Sequence, residues 1–437
     1  MRTRAVVSVL GCCLIALFIT MICSSVAQAA IEETVLYSFA GGASDGMLPV
    51  GGLVADASGN LYGATGAGGG YGNCSPFGET CGVVFELAPG ANNSWTETVL
   101  YTFTGRQDGG EPLAALTIDS KGNLYGTTAV GGEHGLGTVF EVSPNGDGSW
   151  TESVLYSFSG GSDGSYPQST PAIRNGVIYG MTYAGGGNSC LGAPSGCGVI
   201  YQLTPGQSGW TESVLYRFTN GADGAFPYAN VVFDPYGNLY GTTTQGGYLQ
   251  GNCAPYGCGN VFQLFHGKSG WTLNTLHSFT YDTDGSSPFG GLLFDSKGNL
   301  YGTASGGGGG YSGTVFELEY AGKGTGSGSW SFNLLYSFSG PDGQAPESGL
   351  VSHGNMFFGT TYGGGSGSGC LFGAPCGTVF MLTSSGKGWE ETVLHSFSAN
   401  GDGVNPESGV IVGKNALYGT AYAGGLYGDG AIYTITP

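Results

Sequence analysis

The sequence predicts an all-β fold, a seven-bladed β-propeller whose blades are four-stranded antiparallel sheets. Three observations lead to this prediction. A unit of roughly 60 residues recurs along the whole chain. Each unit holds four short strand patterns bounded by Gly, Asn, Asp and Pro turn signals. The last unit lacks its fourth strand, and a lone copy of that strand occupies residues 33–39. We therefore expect the N-terminal strand to pair into the C-terminal blade and close the ring without an exposed edge.

The composition supports a packed β-protein and excludes several classes. The 437 residues include 89 glycines, yet 40% are hydrophobic and 13% are aromatic, which is enough apolar surface to build a core. Only 9% of the residues are charged, so long salt-bridged helices are not expected. The formal net charge of −19 excludes non-specific binding to nucleic acid or to anionic membranes. We expect a monomer.

The first 29 residues have the pattern of a signal peptide. Arg2 and Arg4 precede an apolar run that ends near Val26, and an A-x-A cleavage site follows at residues 27–29. A retained membrane anchor is the alternative, because the apolar run is long enough to span a bilayer. We predict cleavage after residue 29 and secretion, with the periplasm as the alternative location and no membrane association after cleavage. Residues 30–437 then form a single propeller.

The repeat defines four strands in each blade. Strand a follows a proline, strand b carries an aromatic–glycine pair, strand c reads G-x-V-F, and strand d follows a tryptophan. The pairs in strand b are Tyr62-Gly63, Tyr125-Gly126, Tyr179-Gly180, Tyr240-Gly241, Tyr301-Gly302, Phe358-Gly359 and Tyr418-Gly419. The tryptophans are Trp95, Trp150, Trp210, Trp271, Trp330 and Trp389. The predicted blades are 47–103, 109–158, 164–218, 224–279, 285–338, 343–397, and 403–437 together with 31–39.

A D-G-x-x-P motif connects strand d of one unit to strand a of the next. Its aspartates are Asp45, Asp108, Asp163, Asp223, Asp284, Asp342 and Asp402. The motif is typical of a turn in which the aspartate accepts hydrogen bonds from backbone N–H groups. Calcium binding is the alternative, and Asp282 with Asp284 comes nearest to a calcium loop, although the downstream bidentate glutamate is absent. Calcium is the single cofactor that the sequence suggests.

The residues after each proline should surround the propeller axis. The second position holds small residues, Gly51, Ala114, Ser169, Ala229, Gly290, Ser348 and Ser408, as expected where seven blades converge. The first position varies, and it holds Val50, Leu113, Gln168, Tyr228, Phe289, Glu347 and Glu407. Two aromatic residues beside two carboxylates suit the recognition of a sugar or a cation. Tyr228, Phe289, Glu347 and Glu407 are therefore the candidate ligand-binding residues, and ordinary surface variation is the alternative.

Eight cysteines follow the predicted signal peptide, and they form four local pairs. The pairs are Cys74/Cys81, Cys190/Cys197, Cys253/Cys258 and Cys370/Cys376, each within a single b–c loop. In an exported protein this spacing indicates disulfide bonds. Structural zinc is the alternative, but it would need two loops to supply four thiolates. The b–c loops should leave the sheets at the same end as the D-G-x-x-P turns.

The sequence contains no catalytic motif in a structural context that supports catalysis. Two G-x-S-x-G matches, at residues 42–46 and 160–164, lie in turns rather than at a strand-to-helix elbow. The five histidines fall at different points of the repeat, and His277 and His395 replace the tyrosine of strand d. We therefore assign no catalytic residue and expect no enzymatic activity.

The repeat resembles a known family. NLYGTT, a Gly-Gly loop, GTVFEL and W-x-E-x-VLYSF together resemble the GloVer tandem repeat of exported bacterial proteins, a group of choice-of-anchor repeat proteins. The resemblance covers essentially the whole chain after residue 29. It implies a β-propeller-like fold and an extracytoplasmic setting, and it supplies no catalytic residue.

These observations predict a secreted, non-catalytic binding or scaffold propeller. Its expected ligand is a glycan or another cell-surface polymer. One alternative is an extracellular polysaccharide lyase or hydrolase with a pocket at the top face, and this alternative rests on analogy between folds alone. The other alternative is a purely structural envelope protein.

Overall fold

The computed structural model confirms the all-β fold. It describes residues 31–70, 72, 74, 80–187, 189–191, 193, 195–268, 270–322, 329–370, 376–386, 388–399 and 401–436. The predicted signal peptide lies outside these residues. Seven four-stranded antiparallel sheets form the blades of a propeller. The described residues contain no helix long and apolar enough to cross a membrane.

In each blade the strands are ordered a to d from the axis outward. Blade 1 contains Val54–Ala55, Leu61–Thr65, Val83–Pro89 and Trp95–Thr102. Blade 2 contains Thr117–Ile118, Leu124–Thr128, Thr138–Pro144 and Trp150–Ser157. Blade 3 contains Ala172–Arg174, Val177–Thr182, Val199–Gly206 and Gly209–Arg217. Blade 4 contains Val232–Phe233, Leu239–Thr243, Asn260–Gly267 and Gly270–Ser278.

The remaining blades follow the same order. Blade 5 contains Leu293–Phe294, Leu300–Ala304, Thr314–Tyr320 and Trp330–Ser337. Blade 6 contains Val351–His353, Met356–Thr361, Thr378–Ser385 and Gly388–Ser396. Blade 7 contains Ile411–Val412, Leu417–Ala421, Ala431–Thr436 and Glu32–Ser38. Short pairs join Gly46–Met47 to Ala67–Gly68 and Gly403–Val404 to Ala423–Gly424. Among the described residues, single-turn 3-10 helices occupy Ala91–Asn93 and Gly251–Cys253.

The N-terminal strand closes the ring as predicted. Strand Glu32–Ser38 pairs antiparallel with Ala431–Thr436 and becomes the outermost strand of blade 7. A β-bulge interrupts this pairing, and a bulge interrupts the c–d pairing of the other six blades as well. A β-bulge increases the local twist of a strand pair. The outer half of each blade therefore carries the same distortion, whether or not its two strands are neighbours in sequence.

The hydrophobic core lies between neighbouring blades rather than within one sheet. A fully buried phenylalanine after strand d packs edge-to-face against the aromatic residue of strand c in the next blade. The pairs are Phe39/Phe85, Phe103/Phe140, Phe158/Tyr201, Phe218/Phe262, Phe279/Phe316, Phe338/Phe380 and Phe397/Tyr433, with ring centroids 4.9–5.5 Å apart. The strand b glycine makes room for this ring, since a Cβ on Gly63 would lie 2.6 Å from Phe85 Cζ. The glycine of the aromatic–glycine pair is thus explained by the packing of aromatic rings between neighbouring blades.

The segments nearest the axis are crowded, as the small residues predict. A Cβ on Gly51 would lie 2.5 Å from the backbone oxygen of Ala114 in the next blade. Threonine hydroxyls of strand b also donate across blades; Thr360 donates to the Ser408 carbonyl at 2.8 Å, and Thr420 donates to the Gly51 carbonyl at 3.2 Å. Strand a is only two or three residues long, shorter than the sequence suggests. Contacts with neighbouring blades take the place of some of the hydrogen bonds that a longer strand a would make to strand b.

An outer junction joins each pair of neighbouring blades at the rim. We define it as the tyrosine or histidine of strand d, the aspartate of the following D-G-x-x-P turn, and the facing residue of the next strand d. In five junctions that facing residue is a glutamate: Glu97, Glu152, Glu212, Glu391 and Glu33. One oxygen of each glutamate is buried and has no hydrogen-bond partner. Leu273 and Phe332 have the same register in the other two junctions.

Candidate functional site

The D-G-x-x-P turns carry the chain from the outer rim to the axis. Asp163 illustrates their geometry, because it accepts hydrogen bonds from the Tyr156 hydroxyl at 3.0 Å and the Ser159 N–H at 2.8 Å. The equivalent aspartate in all seven turns is hydrogen-bonded to the tyrosine or histidine of strand d. These contacts confirm the turn interpretation of the motif.

The residue before each proline adopts the left-handed conformation. These residues are Leu48, Glu111, Tyr166, Phe226, Ser287, Ala345 and Asn405, with φ between 52° and 58°. Phe226 shows the reason: its N–H donates to the Cys197 carbonyl of the preceding loop at 2.9 Å, and its carbonyl accepts from the Thr244 N–H at 3.2 Å. A sterically costly backbone conformation is thus repeated because it bonds the turn on both sides. It also directs the residue after the proline toward the axis.

A cavity of about 250 Å³ opens around the axis. The residues after the prolines form one ring of its wall, and they are Val50, Leu113, Gln168, Tyr228, Phe289, Glu347 and Glu407. The four residues singled out from the sequence therefore meet in one pocket. Gly, Ala, Ser, Thr and Asn residues from the following positions complete the wall of the pocket.

The two aromatic residues form one side of the pocket. The rings of Tyr228 and Phe289 lie 5.3 Å apart between centroids and meet edge-to-face at 83°. Burial raises the pKa of the Tyr228 hydroxyl, and the charges of Glu407 and Glu347 raise it further. This phenol therefore stays protonated and can donate a hydrogen bond inside the pocket. Phe289 supplies an apolar face beside it.

The two glutamates form the acidic side of the pocket. Burial raises the pKa of Glu407 to about 7, and the charge of Glu347 contributes to this rise. Burial also raises the pKa of Glu347. Two carboxyl groups that share a low-dielectric pocket resist simultaneous ionisation, so the pair keeps a proton up to a higher pH than ordinary carboxyl groups do. The pair can then both donate and accept hydrogen bonds.

Two further tyrosines lie close to this site, and the sequence analysis missed them. Burial raises the pKa of Tyr362, and the nearby charges of Glu407 and Glu347 raise it further. Tyr183 lies near Tyr228 and packs on Phe226 with 4.9 Å between ring centroids. Both tyrosines immediately follow strand b, where blades 1, 2, 4 and 5 have Gly, Ala, Thr or Ser. That local departure from small residues is the signal that could have revealed them.

The disulfides form within the four predicted loops. The bonds are Cys74–Cys81, Cys190–Cys197, Cys253–Cys258 and Cys370–Cys376. The second cysteine of each pair offers its carbonyl to a left-handed residue of the next blade, namely Glu111, Phe226, Ser287 or Asn405. Three of those residues precede Tyr228, Phe289 and Glu407 by two positions. The disulfide loops thus support the turns that position the pocket wall, and such bonds are typical of proteins outside the cytoplasm.

The residues predicted to bind calcium are not among those that line the pocket. Asp284 is buried and is hydrogen-bonded to His277 at 3.0 Å and to the Thr280 hydroxyl at 2.7 Å. Asp282 accepts a hydrogen bond from the Asn252 side chain at 3.1 Å. Protein donors therefore already contact both carboxylates, and calcium binding here stays a prediction.

A second, larger cavity lies at the opposite end of the blades. Its volume is about 670 Å³, and its wall includes Arg174, Tyr240, Phe294 and Trp330. Two of its polar side chains are already paired: Arg174 donates to the Asp234 carbonyl, and Tyr240 bonds to both Asp234 and Gln263. By contrast, no described residue donates a hydrogen bond to Glu347 or Glu407. The carboxyl groups of the axial pocket are therefore available to accept hydrogen bonds from a polar ligand.

Solved structures with a related shape are distant. An ulvan lyase of a polysaccharide lyase family matches with a TM-score of 0.45 and 11% identity, covering 92% of this chain and 95% of that one. A protein of unknown function from Dyadobacter fermentans matches with a TM-score of 0.44 and 13% identity, covering 92% and 97%. Likenesses this remote carry no conclusion about activity. The comparison with curated proteins gave no match.

The repeat itself has a clear relative. The profile of the Gloeobacter/Verrucomicrobia repeat matches residues 25–193 and 187–372, which together span most of the chain. These two matches contain the repeated strands and turns of blades 1 to 5, and they agree with the resemblance seen in the sequence. The chain belongs to the Gloeobacter/Verrucomicrobia repeat family.

Proposed function

We propose that this protein is a secreted, non-catalytic binding protein that holds one sugar unit of a glycan in its axial pocket. One observation carries the proposal: an aromatic pair and a carboxyl pair converge in a single cavity whose carboxyl groups have no protein donor among the described residues. Sugar hydroxyls supply the donors that these carboxyl groups lack. The apolar C–H face of a sugar ring suits Phe289 and Tyr228.

The size of the pocket supports a small ligand unit. Pockets for drug-sized ligands measure roughly 300–1,000 Å³, and this cavity of about 250 Å³ lies just below that range. A single sugar ring at the end of a chain fits such a volume better than a long internal segment. The rigid wall also favours binding, because the backbone bonds around Phe226 hold the turn before any ligand arrives.

Glycan-array screening of the purified protein, followed by calorimetry with the best oligosaccharide, tests this proposal. The Tyr228→Ala, Phe289→Ala double variant should lose at least ten-fold in affinity, because both apolar surfaces disappear. Val50→Ala serves as a matched control, since it shortens a wall residue of another blade and should change the affinity less than three-fold. Equal affinity of the double variant and the wild type, or binding at the opposite face, would refute the proposal.

A polysaccharide-active enzyme is the second candidate, and the carboxyl pair favours it specifically. A carboxylic acid with a pKa near 7 beside another carboxyl group is the arrangement that glycoside hydrolysis uses for acid–base catalysis. Assays for reducing ends and for unsaturated products on the bound oligosaccharide separate the two candidates. Turnover that Glu407→Gln abolishes while binding persists would establish the enzyme. Binding without turnover supports the binding protein.

A further inference from the structure

The outer junction between blades 6 and 7 differs from the other six. Four junctions combine a tyrosine with a glutamate, one combines Tyr216 with Leu273, and one combines His277 with Phe332. Only the junction of blades 6 and 7 combines a histidine with a glutamate, in His395 and Glu33. The sequence alone could not reveal this, because ring closure brings Glu33 from the start of the propeller to His395 near its end.

Three possible metal ligands meet in this junction. His395 Nε2 lies 2.9 Å from Asp402 Oδ2. A carboxylate oxygen of Glu33 joins them, and the three ligand atoms all lie within 4.8 Å of one another. In the part of the chain that the structure describes, no other set of three histidine, cysteine or acidic side chains comes this close. Both the imidazole and the carboxylates are ordinary ligands of divalent transition metals.

The turn aspartate distinguishes this junction from the other six, because one of its two oxygens is buried and unpaired. Asp402 Oδ1 and Glu33 Oε1 are both buried without a hydrogen-bond partner, and the Asp402 side chain is only 12% exposed. In the other six turns, the same aspartate oxygen accepts a hydrogen bond from a backbone N–H or a hydroxyl group of its own turn. The fully buried hydroxyl of Tyr433 in this junction also lacks a partner. Unsatisfied buried acceptors are costly unless a cation or proton compensates them.

We propose that Glu33, His395 and Asp402 bind a divalent transition-metal ion, with zinc as the best fit. Zinc takes nitrogen and carboxylate ligands at roughly 2.0–2.2 Å in tetrahedral geometry, and three protein ligands leave one position for water. Ligands of one tetrahedral zinc ion lie about 3.4 Å apart. The three ligand atoms already lie within 4.8 Å of one another, so small side-chain movements would bring them to this spacing. Calcium fits less well, because it prefers six to eight oxygen ligands.

The ion would cross-link the two parts of the chain that meet where the ring closes. Glu33 lies on the N-terminal strand, whereas His395 and Asp402 belong to blade 6 and its following turn. Backbone pairing holds this strand to blade 7, and the metal would add a bond from the same strand to blade 6. An ion that binds only the folded state raises stability. Closure would then depend on metal availability.

Zinc titration of protein without a histidine tag, after removal of metal by chelation, tests the proposal. Calorimetry should give one zinc ion per chain, and zinc should raise the melting temperature. His395→Tyr introduces the residue that five other junctions carry, so it should fold while losing at least ten-fold in zinc affinity. Tyr336→His should create a second site with Glu391 and Asp342 and raise the stoichiometry to two.

His277→Tyr is the matched control, because its junction holds Phe332 in place of a glutamate and should not bind zinc. The stoichiometry of this variant should therefore equal that of the wild type. Absence of zinc binding by the wild type, or undiminished binding by His395→Tyr, would overturn the proposal. In either case the oxygens of Glu33 and Asp402 would instead be compensated by a shared proton.

Discussion

The outer junctions of this propeller hold two different kinds of residue, acidic or apolar, at the same backbone position. Five junctions bury a glutamate against an aspartate, whereas the junctions of blades 3/4 and 4/5 hold Leu273 and Phe332. Phe332 stacks on His277 at 4.2 Å, and Leu273 packs into the cluster that contains Tyr216. The ring therefore closes equally well with an apolar residue. The glutamates are not needed to build the fold, and their effect must lie elsewhere.

Their effect is a dependence of stability on pH. Burial, and then the charge of the facing aspartate, raise the pKa of Glu391 from its ordinary value of 4.5 to about 7. The same value holds for Glu97, Glu152 and Glu212, with burial as the main cause. Because the folded state holds these protons more tightly, the contribution of these glutamates to stability is greatest below pH 4.5 and falls as the pH rises to 7. Leu273 and Phe332 make no such contribution.

Neutralising four of these glutamates should have the largest effect. The quadruple variant Glu97→Gln, Glu152→Gln, Glu212→Gln, Glu391→Gln should gain about 4 kcal/mol in unfolding free energy at pH 8, roughly 1 per site after allowance for partial exposure. The gain should shrink markedly at pH 4.5, where the folded state holds each of these protons and the unfolded state holds about half of them. Urea unfolding across this pH range measures it, and the distant sites should add.

An equal loss of charge at exposed positions is the control for that variant. Substituting Gln at Glu32, Glu133, Glu319 and Glu390 removes the same charge from the surface. This control should change the unfolding free energy by less than about 1 kcal/mol at either pH. If both variants gain equally at pH 8, net charge rather than the junctions sets the pH dependence.

Placing a glutamate in an apolar junction should have the next largest effect. Leu273→Glu should lower the unfolding free energy by about 3 kcal/mol at pH 8, because apolar packing is lost and a carboxylate is buried near Asp223. At pH 4.5 the loss should fall to about 1–2 kcal/mol. Leu273→Gln, measured in parallel, isolates the packing loss and should cost the same at both pH values. A pH-independent loss in Leu273→Glu would contradict the comparison.

Removing a tyrosine hydroxyl should have the smallest effect. Tyr101→Phe and Tyr216→Phe each delete one hydrogen bond to the turn aspartate, at 3.1 and 3.2 Å, and should each cost about 1 kcal/mol. At pH 8 Tyr101→Phe should cost more, because its phenol also stabilises Asp108 against the facing charge of Glu152. Equal costs at pH 8 would show that the facing carboxylate does not act on the aspartate.

The repeat predicted most of the fold, because the fold is built from local signals. The D-G-x-x-P turns, the aromatic–glycine pairs and the cysteine spacing each act within a single unit, so one sequence reveals them. The axial position of Tyr228 and Glu407 was also predictable, since the small residue beside them must face the crowded axis. The side chain that each blade places in the wall of the axial pocket could therefore be identified from its position after the proline.

Features that depend on contacts between blades were not predictable. Glu97 looks like an exposed residue of an alternating strand, yet the turn of blade 7 covers it. His395 looks like a simple replacement of tyrosine until ring closure supplies Glu33. Tyr362 follows strand b, where four other blades have a small residue, and only the structure shows its closeness to the pocket carboxyl groups. In each case the decisive neighbour comes from another repeat.

The left-handed residue before each proline has a consequence for how such proteins diversify. In every blade its own N–H and carbonyl group make the bonds to the two sides of the turn, so this geometry does not require one particular side chain at this position or two places later. Val50, Gln168 and Glu407 occupy the same geometry with different size and charge. Each blade thus contributes one position around the axis at which the side chain can vary. Substitutions at these seven positions, by selection or by design, can change the ligand preference one position at a time while the surrounding fold stays the same.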